Sequence, residues 1–165
     1  AYSSDWRRRH FHPWSIMSDN GTQHGSSEDL TLLGVSRFDY PTNPDDCDLQ
    51  TIPWEQPTED CGNGTTVVLD CPEFTAVCPK TSQPDFGHLT IRYRPHKLLI
   101  ESKALKLYLF SFRNTGHFHE TVIQRICRDL FEALNPHWIQ VEGKFLPRGG
   151  ISIHPTCYLE QDIDA

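Results

Sequence analysis

The sequence predicts an α+β fold, with two helices on one face of a four-stranded antiparallel sheet in the order ββααββ. Two observations carry this. Short β-branched or alternating runs bounded by glycine and proline occur at 65–69, 88–94, 138–145 and 150–154. Between the second and third of these the apolar period changes from two to 3.6. A third observation sets the boundary. Residues 1–64 are rich in Gly, Pro, Ser, Thr, Asn and Asp and sustain neither period.

Thr65-Thr66-Val67-Val68-Leu69, just after Gly64, reads as the first strand. His88 to Arg94 alternates apolar and polar residues and stops at Pro95, giving the second. In 102–113, Leu105, Tyr108, Leu109 and Phe112 fall at i, i+3, i+4 and i+7, the stripe of an amphipathic helix that ends by Gly116. Ile123, Ile126, Leu130 and Leu134 form the stripe of a second helix, stopped by Pro136. Trp138 to Phe145 and Gly150 to His154 close the chain as two more strands. Helices gathered on one face of such a sheet make an α+β layer. Its open edges favour association into a larger barrel.

The first 64 residues read as an extension, partly disordered or extended against the surface, with an acidic run from Asp39 to Asp60 broken by Pro41, Pro44, Pro53 and Pro57. Met17 is the only methionine, and an expectation follows that it is the natural start. The net charge of -7 argues against nucleic-acid binding through a basic surface, although a local cationic cluster can still hold a small anion. No apolar run approaches the roughly 20 residues of a membrane span. The six cysteines (Cys47, Cys61, Cys71, Cys78, Cys127, Cys157) lack any Cys-x-x-Cys pair, and no apolar leader is visible. A cytoplasmic protein with reduced thiols is expected.

The stretch from Cys78 to Phe86 holds the strongest chemical signal. Pro79 and Pro84 each fix φ and lack an N–H, which predicts a stiff, irregular loop carrying a thiol and a carboxylate seven residues apart. Such a loop suits a nucleophile and a proton donor addressing one substrate atom. It equally suits a proline-rich turn with a buried cysteine. Lys103 and Lys106 share a helix face and can meet phosphates, or form an ordinary solvated cationic face. No Gly-x-Gly-x-x-Gly fingerprint is present.

Four linked motifs resolve these alternatives. Cys78-Pro79-Lys80-Thr81-Ser82-Gln83-Pro84-Asp85-Phe86 resembles the nucleophile loop of the QueF-type 7-cyano-7-deazaguanine reductases. Glu101 to Tyr108 is similar to that family's signature helix start, and Phe118-His119-Glu120 and Gly143 to Gly150 match in order and spacing. The resemblance covers about residues 65–157; the family usually has Gly where this chain has Ser82.

It implies the tunnelling fold (T-fold) over 65–165, in a single-module enzyme whose protomers ring up into barrels with active sites at subunit interfaces. It implies NADPH-dependent reduction of a nitrile to an aminomethyl group in queuosine biosynthesis, a tRNA modification pathway. By resemblance, Cys78 is the thioimide-forming nucleophile and Asp85 the proton donor. Glu120, beside His119, is the carboxylate for the guanine-like edge, and Ile100, Glu101 and Ser102 form a second substrate segment. Lys103, Lys106 and Arg148 are the NADPH cations, the last beside Gly149-Gly150. No metal is implied. A zinc cyclohydrolase of the same fold, using His117, His119, Cys71 and Cys78, would leave the lysine pair without a role. An amidinotransferase relative would lack the Glu101–Tyr108 signature, and a non-enzymatic ring protein would make Cys78 dispensable.

Overall fold

In the computed structural model the first long strand runs well past its expected end, and the second begins before its expected start and ends where expected. The structure describes residues 40–55 and 64–161. The Met17 start, the stretch 1–39, and Cys61 with its neighbours in 56–63 lie outside the described residues. Strand β2 covers Val67–Val77 and β3 covers Pro84–Arg94, paired antiparallel. A register shift between Cys71 and Phe74 accommodates Pro72 within β2, since a bulge removes the ladder bond that a proline cannot make. Pro84 opens β3, another position where a missing N–H is tolerated. One expectation is corrected here. The irregular segment is only 78–83, and Asp85 belongs to a strand.

Two short strands precede the helices. β1 (Thr51–Pro53) and β4 (Leu98–Ile100) pair in a separate antiparallel ladder with Thr51 opposite Ile100. Three residues with a terminal proline leave no periodic signal, so β1 was not anticipated within the extension. Helix α1 spans Ser102–Ser111 and tightens into a 3₁₀ turn at Phe112–Asn114. Its N-cap is Glu101, whose carboxylate accepts from the N–H groups of Lys103 (2.9 Å) and Ala104 (2.7 Å). Helix α2 spans His119–Leu134 and ends at Asn135, whose φ of 44° provides the left-handed C-terminal residue ahead of Pro136.

β5 lies at Trp138–Phe145, as expected. The final strand does not lie at 150–154. It is β6, Thr156–Glu160, antiparallel to β5 with Val141 opposite Cys157. Ile151-Ser152-Ile153 alternates like a strand, yet Ile151 (69% exposed) and Ile153 (39%) have no core to enter. Cys157 and Leu159 do pack on that core, and side-chain packing decides where a weak alternation becomes a strand.

The main sheet has the order β2-β3-β5-β6, which confirms the ββααββ arrangement. Leu89, Ile91 and Tyr93 of β3, with Ile139 and Val141 of β5, project at every second residue toward the helices. They meet Leu105, Tyr108 and Phe112 from the first helical stripe and Ile123, Ile126, Leu130 and Leu134 from the second, all buried. Each such side chain contributes about 1.5–3 kcal/mol on burial. The other face is polar, with Arg92 on β3 bonded to Glu142 on β5 at 3.5 Å. This core holds β3 rigid, so β3 sets the distance between the chemistry at its start and the groups near its end.

Candidate active site

Cys78 directly follows β2 in a closed six-residue turn. Its N–H donates to the Gln83 carbonyl (2.9 Å), its own carbonyl accepts from Ser82 N–H (3.0 Å), and Val77 pairs with Pro84 beneath. Ser82 has φ 55°, a left-handed conformation that accounts for the family's preference for glycine at this position. The half-buried thiol is held down from the ordinary cysteine value to about 7. The Thr81 hydroxyl is the largest cause; the N–H groups of Lys80 and Thr81 follow, the Arg148 guanidinium adds a little, and partial burial opposes them.

Asp85, one residue into β3, is only 5% exposed. Its Oδ1 lies 3.0 Å from His119 Nε2 and 2.5 Å from Arg148 Nη2. His119 opens α2, and its ring stacks on Phe145 at 3.9 Å with 5° between the planes. Two strand glycines give Phe145 its seat. A Cβ on Gly87 would stand 2.9 Å from the Phe145 ring, and one on Gly143 would stand 2.8 Å from it and 2.7 Å from Ile123. The start of α2 is tied to the cysteine turn, because Val77 donates to the Thr115 carbonyl (3.3 Å) and accepts from His117 N–H (3.1 Å).

Arg148 approaches from the turn after β5. Its Nη2 donates to the carbonyls of Gln83 (3.1 Å) and Pro84 (3.3 Å) as well as to Asp85. Cys78, Asp85, His119 and Arg148 thus converge at one end of β3. Glu120, exposed in the first turn of α2, adjoins them in sequence.

The other expected site residues do not join this group within one chain. Ile100 N–H donates to the Tyr93 hydroxyl (3.3 Å), and Tyr93 lies eight residues beyond Asp85 on β3. Eight strand residues span roughly 26 Å. Glu101 and Ser102 follow Ile100 at that far end, where the Glu101 carboxylate caps α1, and Lys103 lies in that helix's first turn. Lys106, on the same helix, lines a cavity of about 370 Å³ along β2 with Cys71, Phe74, Leu109, Phe110 and Arg113. Cys71 therefore serves this cavity and not the Cys78 turn. His117 meets the Phe112 ring edge-on (5.5 Å), and burial holds its pKa down. Among the described residues, no three metal-binding groups converge. Of the remaining thiols, Cys127 is buried on α2 and hydrogen-bonded to Cys157.

Two contributors went unassigned in the sequence, Thr81 and Phe145. Phe145 lies in the Gly143–Gly150 motif, but the local signal for its seat was a pair of glycines, Gly87 and Gly143, inside otherwise regular strands.

The family model described as "QueF-like protein" matches residues 84–163. The NADPH-dependent 7-cyano-7-deazaguanine reductase of Alkaliphilus metalliredigens is 52% identical over 130 residues, 78% of this chain and 75% of the relative. The enzyme of the same name from Bacillus cytotoxicus is 49% identical over 130 residues, 79% of this chain and 76% of the relative. Among solved structures, the archaeosine synthase QueF-Like in its apo form matches with a TM-score of 0.53 at 20% identity, over 56% of this chain and 91% of that one. That likeness shows the fold alone, and it is the tunnelling fold that the motifs implied. With half of its residues identical over three quarters of its length, the chain belongs to the QueF-like family of NADPH-dependent 7-cyano-7-deazaguanine reductases.

Proposed function

We propose that this protein is an NADPH-dependent reductase that converts the nitrile of 7-cyano-7-deazaguanine to an aminomethyl group, in the cytoplasm, as a step of queuosine biosynthesis. The observation that carries the chemistry is a half-buried thiol held near pKa 7 beside a nearly buried carboxylate that is itself bonded to a histidine.

The Cys78 thiolate adds to the nitrile carbon. A C–S bond forms, one C–N π pair moves to nitrogen, and Asp85 delivers the proton that makes a neutral thioimide. His119, 3.0 Å from Asp85, resupplies that proton. Two molecules of NADPH, bound in turn, would each supply one hydride, and with the proton from Asp85 and the one resupplied by His119 these bring the nitrile to the amine level. As the carbon is reduced the C–S bond breaks and Cys78 leaves as thiolate, so the cysteine is regenerated. Glu120 accepts from the exocyclic amine and ring N–H of the deazapurine, with His119 beside it.

The cations present fit a phosphate-bearing cofactor with a flat ring. Lys106 and Arg113 line a cavity whose other walls include Phe74, Leu109 and Phe110. Lys103, one turn before Lys106, joins them for NADPH, and Arg148 is the third cation that the resemblance assigns.

A substrate held by Glu120 at one end of β3 is out of reach of Glu101 in the same chain, roughly 26 Å away along the strand. Ile100, Glu101 and Ser102 therefore act on the site of a second copy. Among the described residues β2 and β6 are the edges of the main sheet, the surfaces through which copies join into a ring. In the test, purified protein is mixed with 7-cyano-7-deazaguanine and NADPH absorbance is followed. Two cofactors consumed per substrate are expected; a folded protein that oxidises none overturns the reading.

A further inference from the structure

We propose that Arg148 is a positioning residue for thiol addition: its guanidinium clamps the Cys78 turn to Asp85, holding nucleophile and acid in one geometry before any cofactor binds. The inference rests on the reductase reading and adds to Arg148 a role distinct from cofactor binding.

One nitrogen, Nη2, bonds three successive residues, the carbonyls of Gln83 (3.1 Å) and Pro84 (3.3 Å) and the carboxylate of Asp85 (2.5 Å). The Gln83 carbonyl is shared, since it also accepts from Cys78 N–H at 2.9 Å. Arg148 therefore grips the peptide that closes the cysteine turn and the acid that follows it. Both carbonyls sit where 78–83 passes into β3, so the clamp sets the angle between the turn and the strand. The guanidinium also touches the Cys78 thiol and favours its charged form, behind the larger effect of Thr81.

The backbone that presents Arg148 is built for rigidity. Arg148 and Ile151 exchange N–H to carbonyl bonds in both directions at 3.0 Å. Gly149 and Gly150 between them have φ 57° and 82°, a turn that needs residues tolerant of positive φ. These glycines shape the base of the arginine. Nη2 carries two N–H bonds for these three acceptors, so at least one contact is shared.

The test uses the full chain and substrate without NADPH. The rate at which thioimide absorbance appears is measured against pH for wild type, Arg148→Ala and Arg148→Lys. In parallel, iodoacetamide labelling of Cys78, read by peptide mass spectrometry, follows the thiol without substrate. For Arg148→Ala the thioimide rate is expected to fall severalfold even above the midpoint, where the thiol is already ionised, and the midpoint of both profiles to rise by less than Thr81→Val raises it, in keeping with the small contribution of Arg148. Arg148→Lys keeps the charge but carries it on a flexible stem instead of a rigid plane, so it should recover part of the midpoint shift and little of the rate. If Arg148 serves the cofactor alone, both cofactor-free profiles stay at wild type while KM for NADPH rises, which overturns the proposal. If Arg148→Ala fails to fold, Arg148→Lys decides, a wild-type rate overturning the clamp. A wild-type protein that forms no thioimide but shows the labelling shift on substitution would sink the reductase reading and leave the clamp standing.

Discussion

The two ends of β3 have been built in opposite ways. At the Asp85 end the reactive groups are held in place: Asp85 by His119 and Arg148, His119 by Phe145, and the Cys78 turn by Arg148, with Glu120 exposed beside them. At the Tyr93 end, the groups assigned to substrate and cofactor are engaged in making local structure. The Glu101 carboxylate caps α1, and Ile100 N–H is bonded to Tyr93. One end gathers its reactive groups inside a single chain, and the other has Ile100 in the core with Ser102 and Lys103 exposed after it. The difference teaches that the contacts lowering the Cys78 thiol are intrachain, whereas completion of the substrate pocket is, on the proposed reading, left to a second copy.

The first way to break that comparison is to delete the nucleophile. Cys78→Ala should abolish both NADPH oxidation and the thioimide absorbance seen with substrate alone, with little change in thermal stability because the thiol is half-buried. A surviving thioimide signal would place the nucleophile elsewhere. pH gives the next largest effect. A thiol lowered to about 7 is mostly thiolate above that pH and mostly protonated below it. Thioimide formation should therefore climb through pH 7 and be about 100-fold slower at pH 5, two units below the midpoint, than on its high-pH plateau. Thr81→Val, which removes the largest lowering contact, should move the midpoint upward toward 9. A profile that ignores Thr81 would shift the credit for activation to other groups.

The assembly half is tested by mixing two dead variants, Cys78→Ala and Glu101→Gln. If one copy supplies Cys78 and another Glu101, random co-assembly leaves about one site in four with both native groups, and roughly a quarter of the activity returns. No recovery in a verified mixed assembly would put both groups in one chain. The smallest effect concerns the support beneath His119. Gly143→Ala forces Ile123 and Phe145 to move, an overpacking cost of about 1–3 kcal/mol measurable by denaturant unfolding. Wild-type stability and activity together would show that the Phe145 seat is not needed to hold His119.

Much of the fold was legible because it depends on period. The α1 and α2 stripes are buried at the positions the 3.6-residue spacing marked, except Leu109, which is half-buried along the cavity, and β5 begins and ends where its alternation does. β6 was misplaced because Ile151-Ser152-Ile153 alternates as well as Thr156-Cys157-Tyr158 does, and only the packing of Cys157 and Leu159 on the core separates them. Pro84 suggested a loop where it opens a strand, since a proline at a strand start and one inside a loop have the same local signature. In the site, the Cys78–Asp85 spacing and the Phe118-His119-Glu120 motif were visible as local strings. The Thr81 contact, the Phe145 stack and the three-way grip of Arg148 depend on residues brought together from separate elements, and no spacing announces them.

By itself, then, the sequence determined the order of strands and helices, the thiol and carboxylate on one short segment, and the family to which those motifs belong. Local backbone preference and residue chemistry suffice for that. The tertiary structure alone decided which groups share an end of β3. A paired strand is a rigid spacer of about 3.3 Å per residue, and what lies beside each of its ends is chosen by packing between distant segments.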